Sequence, residues 1–148
     1  MSLEQKVMSA LKEAIKSKDR VKMDALRAIK SAILLEKTKG SNSILSESDE
    51  MKLLQKLVKQ RKESAEIYRQ QNRTDLAQTE LKQAEVIEGF LPEPMSEAEI
   101  ENTIKEIVKQ TGALSMKDMG KVMGIATQKL AGRADGKIIA RIVRKLLS

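Results

Sequence analysis

The side chains able to do chemistry in this 148-residue chain are cations, and they gather toward one end. From Lys109 to Ser148 stand nine lysines and arginines against two acids, Asp118 and Asp135. That net of +7 equals the net charge of the whole chain, and residues 1–108 hold 19 groups of each sign. Clustered Lys and Arg neutralise phosphate and release its counterions, so the partner implied is a polyanion bound with a steep salt dependence. The last helix shows the pattern best. At 100° per residue, Lys137, Arg141, Arg144 and Lys145 fall within one arc of about 100°, and Ile138, Ile139, Ile142, Val143 and Leu146 lie opposite. One turn of sequence earlier, Lys117, Lys121 and Gln128 share the polar side of another helical stretch, with Gly120 and Gly124 at its edge.

Two glycines one turn apart in a helix cost about 1 kcal/mol each against alanine. They imply close approach to the backbone, either by a neighbouring helix or by a ligand. The run Gly132-Arg133-Ala134-Asp135-Gly136-Lys137 looks like a phosphate loop but is not one. It is a residue short between its glycines, has no Ser or Thr after the lysine and follows no strand. What survives is a seat for a single phosphate, with the free N–H groups of the last helix beside Arg133 and Lys137. The competing reading is that Asp135 takes those N–H groups as an ordinary cap. Glu97, Glu99 and Glu101 alternate along the sequence and read as favourable charges in a first turn, not as a metal or acid/base pair.

Composition removes many other chemistries. There is no His and no Cys, so His-based triads, thiolate nucleophiles, disulfides and Cys/His zinc sites are impossible within the chain. No catalytic residue, metal or cofactor is expected. The only aromatics are one Tyr and one Phe, Tyr68 and Phe90, so the basic region has no stacking platform for single strands. A folded RNA held by backbone and shape fits better. No apolar run approaches eighteen residues, and the N-terminus is amphipathic without an apolar signal core, so a cytoplasmic protein with no membrane partner is expected.

The elements carrying these residues read as helices throughout. Leu3 to Lys16 buries Leu3, Val7, Leu11, Ala14 and Ile15. Asp19 caps a second helix reaching Lys39, with Met23, Leu26, Ile29, Ile33 and Leu34 inward and Gly40 ending it before a Gly40–Ser43 loop. Ser46 with Asp49 opens a third helix to Gln71, in which the charge run 59–63 reads as a solvated face. A fourth, Thr74 to Glu88, buries Leu76, Leu81, Ala84 and Ile87. Pro92 and Pro94 make the clearest boundary in the chain. Beyond it come a helix over 97–110 opened by a Ser96/Glu99 capping box, one over 116–130, and one over 136–147 capped by Asp135. The expectation is an all-α, multihelical fold: about four helices in an N-terminal subdomain over 1–91 and about three in a basic subdomain over 95–148.

Three motifs stand in order: Leu91-Pro92-Glu93-Pro94-Met95-Ser96, Asp118-Met119-Gly120-Lys121-Val122-Met123-Gly124, and Gly132-Arg133-Ala134-Asp135-Gly136. With them the chain resembles the free-standing YqeY proteins, which match the C-terminal tail of the GatB subunit of the tRNA-dependent amidotransferase. The resemblance covers essentially the whole chain and implies two helical subdomains. It implies a tail that contacts the outer corner of tRNA, in the setting of translation, and maps glycine-bearing and basic positions onto Lys121, Gly124, Lys129, Arg133, Lys137 and Arg141. It also implies a family association with carbon–nitrogen ligase activity using glutamine as amido donor. The residues themselves give no support for such activity by this chain alone.

The candidate tRNA contacts are therefore Lys117, Lys121, Gly124, Lys129, Arg133, Lys137, Arg141, Arg144 and Lys145. The function expected is a tRNA-binding accessory protein, with aminoacyl-tRNA synthetase or amidotransferase subunits as further partners. The alternatives are a non-catalytic adaptor that docks proteins on its N-terminal helices, or a component of an amidotransferase working with other subunits. A DNA-binding helix-turn-helix is disfavoured, since the last helix carries no Asn or Gln to read bases.

Overall fold

A computed structural model describes residues 2–39 and 44–148, and among them every regular element is helical. In order these are α1 (Leu3–Ser17), α2 (Arg20–Lys39), α3 (Glu47–Gln70), α4 (Thr74–Glu88), α5 (Glu97–Thr111), a 3-10 turn (Met116–Asp118), α6 (Met119–Lys129) and α7 (Gly136–Leu147). The chain divides into two compact units, residues 1–92 and 93–148. The expected Gly40 stop and the Gly40–Ser43 loop lie outside the described residues.

Short polar residues start most of these helices. Ser2 accepts the Gln5 amide at 3.2 Å while the Gln5 side chain takes the Ser2 N–H at 3.0 Å, a reciprocal box that opens α1. Ser46 and Asp49 make the same pair at α3. Asp19 accepts the Lys22 amide at 3.1 Å at the start of α2. At α5 only half the expected box forms: Ser96 accepts the Glu99 amide, but the Glu99 carboxylate turns to the Ser96 hydroxyl instead of the backbone. Gly112 ends α5 at φ 68°, the left-handed conformation that glycine adopts without steric cost.

In the first unit α3 packs along α4, α1 along α2, and α2 against α4. Leu26, Ile29, Leu54 and Ile87 are fully buried at the centre, and Phe90 and Leu91 pack onto the same core. In the second unit α5, α6 and α7 close around Ile100, Ile104, Ile107, Val122, Leu130, Ile139 and Val143. Among the described residues no polar side chain is buried, so both cores are held by aliphatic packing. Three inward assignments fail. Ile15, Leu34 and Leu81 are exposed, each at the edge of its stripe, where a 100° step carries the side chain past the neighbouring helix. The helix expected over 116–130 is broken at its start. Asp118 turns back to accept the Leu114 amide at 3.0 Å, and the turn it closes is 3-10.

Candidate nucleic-acid interface

The last helix is set by its cap and its apolar side. Asp135 accepts the Lys137 amide at 2.9 Å, which occupies the helix N-terminus with the chain's own carboxylate. Of the two readings of that terminus, the ordinary cap is the one present. Ile139, Ile142, Val143 and Leu147 then point into the core, and Lys137, Arg141, Arg144 and Lys145 are all exposed.

These four cations are not equivalent. Glu97 and Glu101, one turn apart on α5, stand opposite Arg141 and Lys145, one turn apart on α7. Arg141 Nη2 lies 2.5 Å from Glu97 Oε1, and Lys145 Nζ lies 3.4 Å from Glu101 Oε1. Both pairs span 44 residues, so the two helices run in the same direction along this seam. Lys105 also reaches Glu101, at 3.9 Å. Glu97 and Glu101 thus do more than favour a first turn: they hold half of the α7 cation stripe. Lys137 and Arg144 have no acidic partner among the described residues.

Arg133 is engaged differently. Its Nε donates to the Glu93 carbonyl at 3.3 Å, and its own carbonyl accepts the Met95 amide at 2.9 Å. The side chain is exposed, yet two hydrogen bonds tie residue 133 to the segment that enters the unit.

On α6 and the turn before it, Lys117, Gly120, Lys121, Gly124, Ile125 and Gln128 are exposed and follow helical spacing along one side. Among the described residues Lys117, Lys121 and Lys129 make no ion pair. A Cβ built at Gly120 or Gly124 meets nothing within 4 Å. The tight helix–helix packing that could have explained these glycines is therefore absent within the described residues. What they do is leave two turns of helix backbone bare beside Lys117 and Lys121.

The nine candidates thus divide. Lys117, Lys121, Lys129, Lys137 and Arg144 are exposed and unpaired among the described residues, Gly124 is open, Arg141 and Lys145 are held by α5, and Arg133 is partly structural. The α5 acids were the feature missed in sequence; their i, i+4 spacing matching that of Arg141 and Lys145 was the available signal. Among the described residues no cluster of three acids is placed to hold a metal ion, and no helix is long and apolar enough to cross a membrane.

Residues 4–147 match the family of Yqey-like proteins. The chain belongs to the YqeY family. Its relatives include the fungal protein named altered inheritance of mitochondria protein 41, mitochondrial. The one from Pyrenophora tritici-repentis is 27% identical over 145 residues, covering 96% of this chain and 79% of the relative. The one from Lachancea thermotolerans is 32% identical over 142 residues, covering 91% and 76%. A third similarity is of another kind. A glutamyl-tRNA(Gln) amidotransferase subunit of Thermococcus gammatolerans is 46% identical over 55 residues, which are 34% of this YqeY chain and only 9% of that relative. The higher identity over a short shared segment marks it as a module common to both proteins.

Proposed function

We propose that this YqeY protein binds tRNA through the outer faces of α6 and α7, as an accessory to tRNA-dependent amidation. One observation carries the reading: five exposed cations without acidic partners among the described residues lie on these two helices and the turn before α6, and Gly120 and Gly124 bare the α6 backbone beside two of them. Phosphate oxygens accept from lysine, arginine and helix-edge groups without regard to sequence. The absence of aromatics from this unit favours a partner recognised by shape rather than by stacked bases. The name of the amidotransferase relative, which includes its tRNA, supports tRNA over other folded RNAs. In this reading the protein does no amidation itself, and any carbon–nitrogen ligase activity belongs to an assembly with amidotransferase or synthetase subunits. A cytoplasmic setting is part of the same proposal, although the fungal relatives carry the word mitochondrial in their names.

The test is filter binding of the purified protein to bulk tRNA, duplex DNA and unstructured RNA between about 50 and 200 mM salt, where several phosphate contacts cost orders of magnitude in affinity. Preference for tRNA with a steep slope is the expected result. Replacing Lys117, Lys121, Lys137 and Arg144 together by Glu abolishes binding while the helical circular dichroism stays unchanged, since all four are exposed. Equal weak binding to all three nucleic acids refutes the proposal.

A further inference from the structure

In the first unit, α2 and α3 diverge and leave an open groove of about 370 Å³ between them. Its apolar lining comes from Ala32 and Leu35 on α2 and from Leu53 and Leu57 on α3. Leu53 and Leu57 belong to or pack on the core, so the groove opens directly onto it. Leu35 is 57% exposed, and its neighbour Leu34 is 64% exposed. The rim is charged, but unequally satisfied. Glu36 pairs with Lys39 at 3.4 Å, and Asp49 is spent on the Ser46 backbone at the start of α3. Lys52 and Lys56, one turn apart on the α3 side, have no acidic partner among the described residues. The chain segment joining α2 to α3, Gly40-Ser41-Asn42-Ser43, contains no apolar side chain that could fill such a groove.

We propose that this groove is a docking site for an amphipathic helix of a partner protein, one that carries acidic residues beside its apolar stripe. The lining on α3 runs from Asp49 to Gln60, about 16 Å at 1.5 Å per residue, which matches three turns of a docked helix. Helix-in-groove recognition reads apolar anchors at i, i+3 or i+4, and i+7, and those anchors meet Leu35, Leu53 and Leu57. Carboxylates flanking the stripe meet Lys52 and Lys56, whose charges the described part of the fold leaves uncompensated. The half-exposed leucines argue against an enclosed small-molecule pocket, because they offer one open wall along the whole length. The proposal is independent of RNA binding, which concerns the other unit.

The experiment pans a phage-displayed library of 16-residue helical peptides on the full chain, with depletion on the Leu35→Ser chain. Leu35 is largely exposed, so that variant keeps its helicity by circular dichroism. Enriched peptides are expected to carry the i, i+3/i+4, i+7 apolar pattern flanked by Asp or Glu. Fluorescence anisotropy with one such peptide should show at least tenfold weaker binding to the Lys52→Glu/Lys56→Glu chain. Changing the peptide's acids to Lys should restore that binding. Failure to enrich any peptide over the Leu35→Ser control overturns the proposal. So do enriched peptides that are basic, or that bind the Lys52→Glu/Lys56→Glu chain equally well.

Discussion

Glu97→Gln with Glu101→Gln should make this YqeY protein bind tRNA more tightly, although neither residue touches the RNA in the proposed mode. In the free protein Glu97 holds Arg141 and Glu101 holds Lys145. Any phosphate that recruits these cations must compete with the carboxylates. Exposed ion pairs contribute about 0.2–1 kcal/mol each. Removing the competition of two pairs therefore raises affinity by about 2- to 30-fold. The salt slope adds a second reading. An unchanged slope means that Arg141 and Lys145 already reach phosphates in the wild type, and a slope steeper by up to about two means that the substitution recruits them. The long-range effect of two lost negative charges is controlled by Glu99→Gln with Glu106→Gln, which removes the same charge from α5 without freeing a cation. Filter binding over the same salt range measures both variants. If the control gains as much as Glu97→Gln/Glu101→Gln, or if neither gains, the cross-helix pairs do not gate the interface and the argument fails.

Three other outcomes follow from the same geometry. Gly120→Ala and Gly124→Ala should each raise stability by about 0.4–1 kcal/mol in denaturant titrations, because helix propensity improves and the added methyl meets open space. The same substitutions should weaken tRNA binding if a phosphate backbone approaches there. Ile104→Ala should cost about 2–5 kcal/mol by leaving a cavity in a fully buried site, whereas Ile125→Ala, at 39% exposure on α6, should stay within about 0.5 kcal/mol of wild type. The Arg73 guanidinium, bonded to Asp75 at 3.1 and 3.2 Å, holds the Asp75 carboxyl below the usual carboxylate range. A lowered folded-state value stabilises the fold above the unfolded value of about 3.9 and is lost as pH falls through the folded one. The thermal midpoint of Asp75→Asn should therefore lie slightly below wild type near neutrality and converge with it in acid.

Helix positions were legible because the aliphatic residues recur at helical spacing and the caps are short polar residues at the right offsets. Asp19, Ser46, Ser96 and Asp135 all accept the amides that their positions imply. What the spacing could not resolve was the end of each stripe. Leu34 and Leu81 have the right residue type, but whether a neighbouring helix reaches them depends on crossing geometry, which one helix's periodicity does not contain. The 3-10 turn at Met116–Asp118 was hidden for a related reason. A capping signature at Ser115 and Asp118 is also consistent with Asp118 folding back onto Leu114. For the candidate interface, helical phase put Lys137, Arg141, Arg144 and Lys145 on the exposed side of α7, and they are exposed. It carried no information on which of them an acid on another helix would hold.

That last point changes how the charge of this protein should be understood. Along the chain, everything from Lys109 onward carries the whole net charge. In space, the folding unit 93–148 also contains α5 and the segment entering it, with Glu93, Glu97, Glu99, Glu101 and Glu106. The unit then holds ten lysines and arginines against seven acids, a net of +3, and residues 1–92 hold eighteen against fourteen, a net of +4. Net charge therefore does not distinguish the two units. What distinguishes the second is arrangement: two of its acids are spent on Arg141 and Lys145, while Lys117, Lys121, Lys129, Lys137 and Arg144 stay exposed and uncompensated among the described residues. At physiological salt the Debye length is about 8 Å, so a polyanion senses such local groups more than the total. An RNA preference that rests on this arrangement should respond to moving one carboxylate by a helix turn, and hardly at all to neutralising a distant lysine of the first unit.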